Sequence, residues 1–269
     1  MLLLALGVPI AMNGQVPSPV VPYLENFESY NLAAIPANWN VTTNGIGNAN
    51  VSSGVNTTNG LNGTKSFRMV TPDLTQQQAP VYLIAKLPVF DYQAGFLKVS
   101  FYSKFTSTGT GNNTRVILQV GYVLDNVFVQ IGENVPTSSS YGTEHVYSFN
   151  STSVPSNARI AFRQVSLSGA KYPGTWDIDN VNVTFDTKTP TNLTASNITN
   201  TSAYLSWDIQ GNYSNFEVEY ADNSNFTSAT NEPTNNKYFT LSNLASGTTY
   251  YVRVRGEIYR QQYQLFYVW

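Results

Sequence analysis

Between Trp176 and Phe185 the apolar residues fall at Trp176, Ile178, Val181, Val183 and Phe185, two alternating runs joined by one extra step at Asp179-Asn180. Period-two alternation marks a strand with one buried face, and a single inserted residue is how a β-bulge looks in sequence. A polar connector, Asp186-Thr187-Lys188-Thr189-Pro190, follows it, and a pattern of a different kind begins beyond. The strand therefore reads as the closing strand of a first domain.

The same period recurs along the chain. Residues 23–28, 66–70, 80–85, 95–105, 144–149 and 158–165 all read as strands, and 115–123 pairs with 126–131 as a hairpin joined near Asp125-Asn126. Residues 40–65 are rich in Asn, Gly, Thr and Ser and read as surface loops around short strands at most. No dozen-residue window carries a 3.6-residue apolar stripe, so the fold class is all-β. Eight to ten short strands before residue 186, with no blade-length repeat, suit a two-sheet sandwich rather than a propeller.

Near the start stand Asn26-Phe27-Glu28 and Pro36-Ala37-Asn38-Trp39, and near residue 180 stands Trp176-Asp177-Ile178-Asp179-Asn180-Val181. Together these resemble the cleaved-adhesin and MAM-like (choice-of-anchor type) jelly rolls of secreted bacterial surface proteins. The resemblance implies a jelly-roll β-sandwich over 20–187 whose first and last strands lie side by side. The Asp-Gly-Asp-Gly turn of those relatives is replaced here by Thr42-Thr43-Asn44-Gly45-Ile46-Gly47, so no site built on that turn is carried over.

Residues 188–269 form a second unit. Short alternating strands, Trp207, and Leu244-Ala245-Ser246-Gly247-Thr248-Thr249-Tyr250 resemble a fibronectin type III domain, a smaller Ig-like β-sandwich. The resemblance makes Trp207 the core tryptophan and gives Tyr250 the tyrosine-corner hydrogen bond. The run Gln264-Leu265-Phe266-Tyr267-Val268-Trp269 could supply the last strand and ends apolar, which suggests either a truncated domain in a fragment of a longer parent chain, with an anchoring or sorting domain following as the relatives imply, or a damaged reading frame.

Composition narrows the function classes. The net charge is −2, so no basic field exists for nucleic acid or an anionic membrane. With no cysteine, disulfides, thiolate zinc sites and cysteine nucleophiles are excluded together. Charged residues at 11% and abundant Asn, Thr, Ser, Gly and Tyr fit an extracellular β protein. Residues 1–15 read as the apolar part of a secretory signal peptide with no Lys or Arg before it, and that run is too short to span a bilayer. The expected location is secreted and cell-surface associated, without membrane insertion.

Little in the sequence points to catalysis. The only histidine, His145, lies in an alternating strand and reads as solvent-facing, and there is no Gly-x-Ser-x-Gly elbow, phosphate loop or zinc spacing. The acid clusters Glu25/Glu28, Asp177/Asp179 and Glu217/Glu219 have structural explanations, and a non-catalytic protein is expected. If the first and last strands adjoin, Glu28 and Asp179 come together, and oxygen ligands of this kind suit Ca²⁺. The resemblance to calcium-holding carbohydrate-binding jelly rolls carries over to these two residues only. Glycan recognition relies on exposed aromatics beside amide or guanidinium groups. The candidates are Tyr82, Tyr102 and Tyr122, with Phe128, and with Arg115 and Gln119 nearby in sequence. The expected function is adhesion or glycan binding, the partner being a glycan or a host or extracellular-matrix protein. An accessory region of a larger extracellular glycoside hydrolase or peptidase, and a structural protein-interaction module, stand as alternatives.

Overall fold

The structure, a computed structural model, describes residues 20–44, 52–56, 60–61, 65–71, 80–107, 116–150, 153–167, 174–209, 213, 215–259 and 265–268. Two units are resolved by contact, one running to Thr184 and the other from Phe185 onward, with the short stretch Phe149–Val154 grouped with the second.

The first unit is a sandwich of two antiparallel sheets. One contains β1 (Tyr23–Glu25), β3 (Ser52–Asn56), β4 (Ser66–Thr71), β6 (Leu97–Ser107), β9 (His145–Ser148) and β11 (Gly174–Phe185), in the order β3-β4-β11-β6-β9, with β1 also on β11. The other contains β2 (Asn40–Thr43), β5 (Val81–Lys86), β7 (Val116–Leu124), β8 (Val127–Gln130) and β10 (Arg159–Ser166), in the order β2-β5-β10-β7-β8. Strands distant in sequence lie side by side in both, as a jelly roll requires. The stretch read as loops around short strands at most holds two such strands, Asn40–Thr43 and Ser52–Asn56.

β11 behaves as its alternation dictates. Trp176, Ile178, Val181 and Val183 all have 0% of their surface exposed, and the phase change between the two pairs is taken up at Asn180, whose φ is +49°. An asparagine tolerates that left-handed conformation better than a branched residue. The N-terminal half of β11 pairs with β4, Ile178 opposite Phe67, and the C-terminal half pairs with β1, Val181 opposite Glu25 and Val183 opposite Tyr23. The segments near residues 25 and 180 are thus neighbours. The bulge lets one strand serve two partners with its apolar face kept inward.

Side chains of the two sheets meet through aromatic rings. Phe101 of β6 meets Phe162 of β10 edge-on at 4.8 Å between centroids, and Trp39 lies 5.0 Å from Phe67 and 6.3 Å from Phe162. Asp125 and Asn126, both at positive φ, close the β7–β8 hairpin as a two-residue loop, which matches the twist of the flanking strands.

The second unit packs β12 (Thr191–Ser196), β13 (Ala203–Asp208) and β16 (Tyr238–Leu241) as one sheet, and β14 (Asn215–Ala221), β15 (Thr230–Thr234), β17 (Tyr251–Tyr259) and β18 (Leu265–Val268) as the other, ordered β15-β14-β17-β18. Its core is Leu205, Trp207, Phe216, Val218, Leu241 and Val254, with Trp207 edge-on to Phe216 at 5.6 Å. Tyr250 Oη accepts a hydrogen bond from Ala245 N at 3.0 Å, the corner bond expected from the sequence.

Candidate functional site

The register of the five-stranded sheet sorts its residues onto two faces. Phe162, Val120 and Ala85 oppose one another and are buried against the other sheet. The residues between them point outward. One outward rung carries Thr42, Ile84, Arg163 and Gln119, and the next carries Asn40, Lys86, Ala161, Gly121 and Gln130. Ile84, Ala161 and Val123 form an apolar floor on this face, against which the partly exposed rings of Tyr82 and Phe128 pack.

Phe128 lies over Gly121. A Cβ added at that glycine would fall 2.7 Å from Phe128 Cζ and 2.0 Å from Val129 O, so the position needs a residue without a side chain. The Arg163 guanidinium sits over the Phe128 ring, Cζ 4.2 Å from the centroid, a cation–π contact that also orients its plane. From Arg163 a polar row runs across the sheet. Arg163 Nε donates to Gln119 Oε1 at 2.8 Å, and Gln119 Nε2 donates to Gln130 Oε1 at 2.5 Å and to Asn134 Oδ1 at 3.2 Å. Gln130 Nε2 donates to Asn134 Oδ1 at 3.1 Å and to Gly132 O at 3.0 Å. Burial pushes the guanidinium's pKa down from its ordinary value. Aromatic rings beside a fixed row of amide and guanidinium groups are what a sugar chain requires of a protein surface.

Not every residue singled out from the sequence reaches this face. Tyr82 does. Tyr122, on β7, points to the inner side opposite Ile160 and is 8% exposed, because β7 is covered on both faces and its alternation no longer separates in from out. Tyr102 is partly exposed on β6, in the other sheet. Arg115 lies outside the described residues, as does the signal segment 1–15. Arg163, Gln130 and Asn134 escaped sequence reading. Arg163 is marked only by the pairing of β10 with β7, which puts it directly opposite Gln119, and Gln130 and Asn134 reach Gln119 from β8 and the turn after it.

Glu28 and Asp179 converge, but on backbone. Asp179, 2% exposed, accepts from Leu61 N at 2.6 Å and from Asn180 N at 2.7 Å, one bond to each oxygen. Glu28 Oε1 accepts from Lys65 N at 2.9 Å. The Lys65 ammonium donates to the carbonyl oxygens of Glu28 and Tyr30 at 2.8 and 2.7 Å. In this arrangement both Asp179 oxygens and Glu28 Oε1 accept backbone N–H bonds, and the Lys65 ammonium sits on the adjoining carbonyls of Glu28 and Tyr30. Among the described residues no three Asp, Glu or His side chains gather as a metal cluster. Burial first, then the charges of Glu28 and Glu25, raise the Asp179 carboxyl above its ordinary pKa, against the pull of the two N–H donors.

The remaining acid clusters are explained by partners. Asp177 is held by Arg68 through two bonds, Nε to Oδ1 at 2.8 Å and Nη2 to Oδ2 at 3.1 Å. Glu217 and Glu219 face Arg255 and Arg253 directly across β14 and β17, at 2.5 and 2.6 Å. His145 does not face solvent. It is half-buried, 5.3 Å from the Phe101 ring, and its Nε2 lies 3.0 Å from Ser103 Oγ. Ser103 is only 2% exposed, so this pair has no access to a substrate carbonyl. Desolvation lowers the pKa of the imidazole.

Similarities to solved structures are spread over the chain. A family 11 carbohydrate-binding module of the Clostridium thermocellum cellulase Lic26A-Cel5E is 12% identical, with 64% of this chain and 96% of that one covered, at a TM-score of 0.38. The glycoside hydrolase domain Endo-D of Streptococcus pneumoniae R6 is 14% identical, with 81% of this chain covered at a TM-score of 0.37. This chain spans 34% of the length of that structure and of a Parabacteroides distasonis β-1,2-glucanase. A two-domain fibronectin type III segment of chicken tenascin is 12% identical, with 72% of this chain and 92% of that one covered, at a TM-score of 0.31. No curated protein sequence matches the chain. No described helix is long and apolar enough to cross a membrane. Residues 188–264 match the family model of the fibronectin type III domain, and with Trp207 in its core and Tyr250 at its corner that stretch of the chain is one.

Proposed function

We propose that this is a secreted, non-catalytic glycan-binding protein of a bacterial cell surface. Its first unit is a jelly roll of the cleaved-adhesin and MAM-like kind, and the fibronectin type III domain serves as a spacer. One sugar chain lies across the outer face of the five-stranded sheet. Tyr82 takes the apolar face of a sugar ring, Phe128 holds the Arg163 guanidinium in place beside it, and Arg163, Gln130 and Asn134 meet the polar substituents. The observation that carries this reading is the cation–π-anchored row from Arg163 through Gln119 to Gln130 and Asn134, set beside two partly exposed rings. Side chains already held in place lose little rotamer freedom on binding, which favours affinity on a shallow surface.

A glycan array probed with the whole chain tests the reading. Binding should fall about tenfold or more in Phe128→Ala and in Tyr82→Ala, the loss expected when a buried contact ring is truncated, and should survive in Tyr102→Ala. A blank array, or binding that ignores Tyr82 and Phe128, favours the alternative of a structural module for protein contacts.

A further inference from the structure

We infer that the sugar chain taken by this face is acidic, carrying carboxylates on its rings; the inference rests on the glycan-binding reading above. Among the outward strand positions of this sheet, Lys86, Arg159 and Arg163 are cationic and none is Asp or Glu. The face is thus cationic on a chain of net charge −2.

The three cations are not equivalent. Arg159 is occupied with backbone, its Nε on Leu87 O and its Nη2 on Asn38 O at 2.5 Å and Lys86 O at 3.4 Å, so it braces the β2–β5 edge. Arg163 spends only Nε, on Gln119, and its two Nη groups bond no described residue. Lys86 opposes Ala161, one outward rung from Arg163 on the adjacent strand, which places the two cations diagonally at roughly 7–8 Å between Cα atoms.

Hydrogen-bond polarity points the same way. A neutral sugar hydroxyl needs acceptors as well as donors. In this row both glutamine NH2 groups are spent, that of Gln119 on Gln130 and Asn134 and that of Gln130 on Asn134 and Gly132, and the Asn134 oxygen is taken by both glutamines. The N–H groups that bond no other described residue are the paired Nη groups of Arg163 and the Asn134 amide, and they are the strongest groups the row presents outward. A carboxylate accepts and never donates, and its two oxygens match the paired Nη groups of an arginine whose plane is fixed over Phe128. The aromatic rings beside it favour a sugar over an acidic peptide.

The test measures binding of the whole chain to tetramers of galacturonate, glucuronate and mannuronate, to their methyl esters, which keep the shape and remove the charge, and to a tetraglutamate peptide. At least one uronate should bind about tenfold or more tighter than its ester, with affinity falling as salt is raised. Arg163→Gln should bring acid and ester to within about threefold of each other, and Lys86→Gln should reduce the preference partway. Melting curves report whether each variant remains folded, and Lys86→Gln carries the test if Arg163→Gln does not. Equal binding of acid and ester overturns this inference and leaves glycan binding standing. Binding of none of these sugars overturns this inference, a blank glycan array overturns the reading it rests on, and capture of tetraglutamate alone identifies an acidic peptide ligand instead.

Discussion

Glu28 and Asp179, far apart in sequence, grip the two ends of one short segment: Asp179 Oδ2 holds Leu61 N at 2.6 Å and Glu28 Oε1 holds Lys65 N at 2.9 Å. The adjacency of β1 and β11 brings them there. The positive charge in this corner is supplied by Lys65, whose ammonium binds the carbonyls of Glu28 and Tyr30. Thermal melting should therefore be unchanged, within about 1 °C, by millimolar calcium or by chelator, since a ligand stabilises only what it binds. Lys65→Met should cost about 2 kcal/mol, the scale of hydrogen bonds to a charged group. A calcium-dependent rise in the wild-type midpoint would contradict the assignment.

Asp179 also sets a pH dependence. Its carboxyl is raised in the fold, so the folded state holds the proton more tightly than the unfolded chain does. This contributes stability present below the unfolded value and withdrawn as pH rises through the folded one. Asp179→Asn removes the titration, and the stability margin of wild type over this variant should narrow as pH is raised from about 4 to about 7. Denaturant titration at each pH reads it.

His145 acts with the opposite sign. Its pKa is lowered by burial, so its contribution is present above the unfolded value near 6.5 and is lost as pH falls below it. Replacement by Gln, which can still reach Ser103, should flatten the loss of stability on acidification below about pH 6.5. An identical acid limb in both proteins would show that β9 does not shield the ring.

The bulge makes a conformational prediction. Asn180 stands at φ +49°, where a branched side chain costs roughly 1–2 kcal/mol. Asn180→Val should destabilise by about that amount, whereas Asn180→Gly should be close to neutral. Equal effects would mean the strand passes this point without the left-handed step.

Much of this architecture was legible in the residues. The apolar pairs Trp176/Ile178 and Val181/Val183 gave the closing strand and the place of its bulge, Asp125-Asn126 gave a hairpin, and Trp207 with Tyr250 gave the second sandwich. The site was less legible, for a physical reason. β7 and β10 are central strands whose smaller outward residues are buried beneath Tyr82 and Phe128 of the same sheet, so burial no longer alternates along them and the outward residues are marked only by their cross-strand partners. Arg163 is identified by standing opposite Gln119, a relation that exists in the sheet and nowhere in local sequence. Tyr122 failed for the same cause, one step out of phase with the outward set. His145 faces inward because β9 pairs with β6 through the rung Phe101–His145, which lays the imidazole beside the Phe101 ring.

The account stands on the outer face of the five-stranded sheet being where ligand binds. Its most direct test follows the side-chain amide signals of Gln119, Gln130 and Asn134 and the Nε signal of Arg163 by NMR while the tightest-binding glycan is added to the whole chain. The account predicts that these signals shift together and saturate at the dissociation constant measured independently. Saturable shifts confined to residues away from this sheet, with those four unmoved, would contradict it.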